Sequence, residues 1–187
     1  MTLLYELKFY DYWHLGSGLS AGAKLDSSVV KDENGLPYAP GKTIKGLARE
    51  MAELLENCHF IHHCFGGSTD ETSQCYKEDA KNIQGKCYFA NAILKKEIAD
   101  EIINYRLQEN LYDIIASTKI DDNGIADDNT LREIEVVVPI TIQGKIMDVP
   151  QEYFTDMKKS LKMIKRMGLN RNRGLGRCEF TKIEEQK

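Results

Sequence analysis

Three arginines, Arg171, Arg173 and Arg177, fall within seven residues of GLNRNRGLGR, interleaved with Gly174 and Gly176. A guanidinium fork matches phosphate oxygens in pairs, and glycine lets a backbone approach a ligand closely. That combination suits binding of a polyanion better than it suits a solvated turn. A second cationic set, Lys42, Thr43 and Lys45, stands where PYAPGKTIKGL opens a helical pattern. Free N–H groups and the helix dipole favour an anion there. GLPYAPGKT imitates a nucleotide-binding loop, but five residues separate Gly35 from Gly41 where that loop has four. Its two prolines also remove N–H groups, so a nucleic-acid phosphate fits the place as well as a nucleotide would. Upstream, DYWHLGSG supplies His14, Gly16, Ser17 and Gly18, and Asp26 follows; a lone histidine or aspartate acquires chemistry only from its surroundings. Cys58, His59, His62, His63 and Cys64, with Cys75 and Cys87 further on, have a zinc-like composition. Cys58, His59, His63 and Cys64 are the candidate ligands. No C-x-x-C pair occurs, and a polar helix end with buried thiols is the competing reading.

Composition narrows the class. The 187 residues are 42% hydrophobic and 29% charged, with a formal net charge of −4, an ordinary globular balance that suits one domain with insertions. No apolar stretch approaches the ~18 residues of a membrane span. MTLLYELKFYDYW places Glu6 and Lys8 inside its apolar segment, unlike a signal peptide. With five cysteines, this points to a cytoplasmic protein whose thiols are free or bind metal, not to a disulfide scaffold. Residues 1–156 carry 15 basic and 26 acidic side chains, whereas residues 157–187 carry 10 and 3. A basic C-terminal stretch on an acidic body is the distribution expected if one face meets phosphate.

The elements that must position these groups follow from periodicity. TLLYELKF alternates, with Leu3, Tyr5, Leu7 and Phe9 on one side of a strand. A loop rich in turn signals runs to Pro40-Gly41, and a helix is predicted from about Thr43 to Glu56, with Thr43 as its cap. Residues 57–85 show no period and read as an insertion. KCYFANAIL is a second strand, followed by an inserted helix over 95–109. A hairpin is predicted over about 117–135, its tip the acidic run DDNGIADDN. EIEVVVPITIQGKI reads as one strand in which Pro139 marks an edge or a bulge. A helix after Pro150 carries Phe154, Met157, Leu161 and Ile164 and is predicted to end at Gly168. RCEFTKI closes the chain as a strand. Without insertions the order is βαββαβ: an α+β, ferredoxin-like (RRM-like) domain, two helices on one face of a four-stranded antiparallel sheet. The other face is then free to bind a ligand, as in RNA-recognition modules.

WHLGSG, AKLDSSVVKDENGLPYAPGKTIKGLARE, CFGG, GKCYFANAIL, TKIDDNGIADDNTLREIEVVVP and NRNRGLGRCEF occur in that order. Together they resemble the RAMP superfamily of CRISPR proteins, most of all the backbone subunit of type III effector complexes. The resemblance implies a subunit that stacks in homo-oligomeric fashion along guide RNA, contacts other effector subunits and cuts complementary target RNA with Mg²⁺. It implies that Asp26 is the catalytic residue, and that His14, Gly16, Ser17, Gly18, Lys42, Thr43, Lys45 and Arg49 contact guide RNA. Residues 117–135 would be the thumb that wedges between bases, and some relatives hold Zn²⁺ in the insertion. RNA carries its own nucleophile, the 2′-hydroxyl, so the protein has mainly to splay the strand into line. Aspartate ordinarily ionises near ~3.9 and is a weak base at neutral pH, which favours metal positioning or orientation of the hydroxyl by Asp26. A non-catalytic structural subunit, or a guide-processing endonuclease using His14, are the alternatives.

Overall fold

The computed structural model describes residues 1–18, 26–68, 70–80, 82–120, 124, 125, 127 and 129–186. The rest of the first glycine loop, and Asp121, Asp122 and Asp128 of the hairpin tip, lie outside the described residues.

Strand β1 (Thr2–Phe9) buries Leu3, Tyr5, Leu7 and Phe9, the side its alternation marks as apolar. β5 (Thr141–Met147) pairs with it antiparallel from Leu3↔Ile146 to Lys8↔Thr141. β6 (Cys178–Gln186) pairs along its other edge. The short β2 (Tyr88–Phe89) joins β5, giving the sheet order β2-β5-β1-β6. This antiparallel order is the ferredoxin-like arrangement expected from the sequence. Helices α1 (Gly41–Glu53) and α4 (Phe154–Met163) pack together and bury Ile44, Ala48 and Ala52 against Met157 and Leu161. Truncating Ile44, fully buried in this layer, to alanine is expected to cost about 2–5 kcal/mol.

The departures from the sequence reading have local causes. EIEVVVPITIQGKI is two strands: β4 (Arg132–Val137) pairs with β3 (Tyr112–Ser117) in a separate hairpin, and β5 begins only at Thr141. Pro139, which has no N–H for either ladder, is the corner where the chain leaves one sheet for the other. Val138 still donates to the Leu111 carbonyl, while the Ile140 carbonyl already accepts from Phe9. α1 begins two residues before Thr43. Thr43 therefore makes no cap; its N–H donates to the Pro40 carbonyl, and Asn91 Oδ1 accepts from the N–H of Gly41. α4 stops at Met163 rather than at Gly168. Residues 165–167 turn out instead to pair with the end of the arginine loop, Arg166 opposite Arg177. The insertion holds a helix, α2 (Cys58–Cys64), capped by Asn57. The inserted helix α3 (Lys96–Asn104) is shorter than expected.

Candidate nucleic-acid interface

Four segments meet around His14. The chain leaving β1 runs beside β4, where Trp13 and Val137 exchange both backbone bonds at 3.0 and 2.8 Å. Phe9 stacks on Trp13 at 4.4 Å beneath this junction. Residues 15–17 then pair with 28–30 through Val30 N–H to Leu15 O and Ser17 N–H to Ser28 O. Residues 26–29 lie along β4 in turn: Asp26 donates its N–H to Glu133 O, and Glu135 donates to Ser27 O. The fourth segment is the arginine loop. Leu169 N–H bonds the His14 carbonyl at 2.9 Å, Gly176 N–H bonds Tyr12 O, and Tyr10 N–H bonds Arg177 O. The two glycine-rich loops, 150 residues apart in sequence, therefore share one end of the sheet with the hairpin base.

Glu135 is the buried acid of this junction. Its carboxylate accepts from Val29 N–H at 3.0 Å and from Lys31 Nζ at 2.8 Å, and Lys31 also lies 3.8 Å over the Tyr112 ring. Asp26 is exposed. Its Oδ2 accepts from the N–H of Glu133 at 2.8 Å, which lays the carboxylate against the hairpin stem. Gly16, Ser17 and Gly18 are exposed, and a Cβ at Gly16 would stand 3.2 Å from the His14 ring. Arg171 and Arg173 are exposed, and Arg173 faces the hairpin across a polar cleft of about 400 Å³ that Lys119, Thr130 and Arg132 also line. A second cleft of about 430 Å³ brings Arg177 together with Tyr10, Lys165 and Arg166. Arg177 pairs there with Asp11 at 3.3 Å and lies 5.2 Å over the Tyr10 ring. Cys178, on the same wall, is buried and its thiol is pushed up to about 12 by that burial, so it is no nucleophile at neutral pH.

Not every expected residue joins this surface. His14 is 1% exposed, with both ring nitrogens engaged inside the protein, so it cannot meet RNA as expected. Lys42 and Thr43 sit where α1 abuts β2; a Cβ at Gly41 would stand 2.0 Å from the Phe89 carbonyl oxygen. That helix start is thus anchored on the sheet edge rather than on the arginine loop. Arg49 donates to the Gly67 carbonyl at 3.0 Å and pairs with Glu53 at 3.4 Å, which places it on the α1 side beside Lys42 rather than with the arginine loop. Lys45 is half-buried near Cys64 and Cys87.

A model of the RAMP superfamily matches residues 6–179. The chain belongs to the RAMP superfamily. Solved structures of type III complexes are among those that share its fold. A chain of the Type III-B Cmr-beta complex bound to cognate target RNA superposes with a TM-score of 0.73 at 12% identity, with 96% of each chain covered. A chain of the Type III-B Cmr-beta complex in its apo state gives 0.70 at 13% identity, again with 96% of each covered. No curated protein matches the sequence. No helix among the described residues is long and apolar enough to cross a membrane.

The zinc donors of this RAMP chain do not converge. Cys58 forms a disulfide with Cys75, against the expectation of free or metal-bound thiols. Cys64 is buried against Cys87, and the facing thiol together with burial raises it far out of the thiolate range. His63 packs on Tyr153, and His62 bonds the Cys75 carbonyl. Among the described residues no three His, Cys, Asp or Glu groups are placed to hold a metal. The donors therefore do not fit Zn²⁺. For Mg²⁺ the requirement is looser, because that ion is commonly held by one or two carboxylates with waters and substrate phosphates. The free oxygen of Asp26 fits such a site.

Sequence reasoning overlooked Lys119, Arg132, Ser27 and Glu135. Arg132 opens a strand opposite Ser117, so a hairpin register would have placed it facing the arginine loop's side of the stem only once Pro139 was read as a corner. Glu135 carried the clearer signal, an acid inside the apolar run EIEVVV.

Proposed function

We propose that this RAMP protein is an RNA-binding subunit of a type III CRISPR effector complex, stacking along guide RNA beside other effector subunits and cutting complementary target RNA at Asp26. The observation that carries this is the exposed Asp26 carboxylate laid against the hairpin base, at the place where two glycine-rich loops converge. Two structural neighbours come from a Type III-B complex, one of them bound to target RNA, which supports the reading. The guide backbone runs over Gly16–Gly18, where missing side chains allow close approach, and Arg171 and Arg173 neutralise its phosphates. The hairpin splays the target strand so that a 2′-hydroxyl lines up with its own phosphate. Asp26 orients that hydroxyl through the carboxylate oxygen not bonded to Glu133. Mg²⁺, held by Asp26, would supply charge neutralisation at the reacting phosphate.

The test is a complex assembled on guide RNA with Asp26→Asn, which keeps an oxygen for the Glu133 N–H. Target cleavage in Mg²⁺ is expected to fall by about 10²-fold or more with guide binding unchanged. Cleavage at the wild-type rate would remove Asp26 from the chemistry. A second reading, the non-cutting structural subunit, is favoured by Asp26 having one oxygen already bonded and by no group of three donors for a metal occurring among the described residues. It predicts that wild-type complex binds target without cutting it. The guide-processing reading loses its acid or base, because buried His14 offers no proton to a strand.

A further inference from the structure

We infer that His14 is a positioning residue: through Ser27 it holds the Asp26 carboxylate in register on β4 without touching RNA. The inference deepens the proposed role of Asp26 and rests on it for its consequence in catalysis.

The geometry is a buried strut. His14 Nδ1 lies 2.6 Å from the Glu135 carbonyl oxygen, and Nε2 lies 3.0 Å from Ser27 Oγ. A carbonyl oxygen only accepts, so Nδ1 carries the proton; in the neutral ring Nε2 is then a bare acceptor and the Ser27 hydroxyl donates to it. One imidazole thus ties two neighbouring segments together, the strand of the hairpin at Glu135 and the residue next to Asp26. The backbone of His14 is fixed from behind. Its backbone carbonyl accepts from Leu169, and a Cβ on Gly168 would stand 2.2 Å from that same oxygen. Gly16 leaves the space beside Nε2 open, since a Cβ there would come within 3.2 Å.

Such a strut bears directly on Asp26, because the other ties of its segment lie further along, Val29 N–H to the Glu135 carboxylate, Ser17 N–H to Ser28 O and Val30 N–H to Leu15 O. Residues 26–29 form no regular strand; Ser27 meets Ile134 in an isolated parallel bridge. Apart from the strut, Asp26 depends on its own two bonds to Glu133 and on the Glu135-to-Ser27 bond. An exposed carboxylate must stay within about 0.5 Å of its productive place to orient a hydroxyl, and a 1 Å displacement can cost as much as about 10²-fold in rate. Losing the strut therefore affects turnover more than RNA affinity, because the arginine loop and the first glycine loop are held by backbone bonds, Leu169 to His14, Gly176 to Tyr12 and Ser17 to Ser28, that the side-chain substitutions leave in place.

Ser27→Ala removes the strut from one end and His14→Asn removes it from the other, while asparagine keeps a donor toward Glu135. Ser27→Thr retains the hydroxyl and serves as the rescue. Amide exchange at Asp26, Glu133 and Glu135 in the full chain is expected to quicken about fivefold in Ser27→Ala and His14→Asn and to stay near wild type in Ser27→Thr. In the assembled complex the same two variants are expected to cut target about tenfold more slowly, with target affinity within about twofold of wild type. The double variant is expected to be no slower than either single one, since both break the same bond. Unchanged exchange in Ser27→Ala and His14→Asn, additive losses in the double variant, or faster exchange with wild-type cutting would each overturn the inference. A wild-type complex that binds but never cuts would contradict the role of Asp26 instead, and the strut would then stand or fall on the exchange rates alone.

Discussion

Gly168 holds a φ of +92°, and a Cβ there would stand 2.2 Å from the His14 carbonyl oxygen. Gly168→Ala is expected to cost about 1–3 kcal/mol in thermal unfolding and to weaken RNA binding with it, because the clash pries the arginine loop off the first glycine loop. Sequence alone could place a glycine there as a helix end, but not as a contact point, since the partner is an atom 154 positions away. Asp26 and His14 show the same limit. Their order and neighbours resemble the RAMP pattern, yet an isolated histidine gives no sign of whether it faces solvent. Its burial between Ser27 and Glu135 depends on how the hairpin docks, which no local pattern encodes.

Elements were legible where their pattern was long. The alternation of β1 and the apolar stripes of α1 and α4 each span two or more turns or pleats, and the sheet order followed from them. α2 was not legible, because seven residues with Phe60, Ile61 and Cys64 as the buried set are too few to display a period. At this scale the arginine loop and hairpin act as one unit. Arg171→Ala with Arg173→Ala is expected to lower RNA affinity whatever the sequence and to reduce the slope of log affinity against log salt by about 1–2, measured by binding titrations from low to moderate salt. Arg132→Ala, across the cleft from Arg173, is expected to reduce that slope by a further ~1. The sheet makes a separate prediction. Glu6, on its open face, pairs with Lys95 at 2.8 Å and Lys182 at 3.0 Å, and these ammonium groups hold its carboxyl below the ordinary glutamate range. A depressed carboxyl contributes stability that is complete above its unfolded pKa of about 4.3 and is lost as pH falls through the folded value. Glu6→Gln is accordingly expected to lower the melting temperature at pH 7 and to flatten its decline below pH 5.

The whole molecule separates its charge. Residues 157–187 hold 10 of the 25 basic side chains and only 3 of the 29 acidic ones, and the fold brings Lys165, Arg166 and Arg177 to one cleft and Arg173 to another beside the hairpin. The open face of the sheet is a poor rival as an RNA platform. Its two central strands present Leu4, Glu6, Lys8, Thr141, Gln143 and Lys145 there, and its exposed rings stand at the margins, Tyr88 on the edge strand β2 and Tyr10 beyond the end of β1, where it already bonds Glu179. RNA is therefore expected on the loop and hairpin side, where Arg173 and Arg132 face one cleft. Photo-crosslinking of thiouridine-labelled guide and target RNA in the assembled complex, with adducts mapped by mass spectrometry, tests this most directly. Adducts on residues 16–18, 117–119, 129–132 and 171–177 are predicted, and adducts confined to the sheet face around Leu4, Gln143 and Lys145 would contradict it.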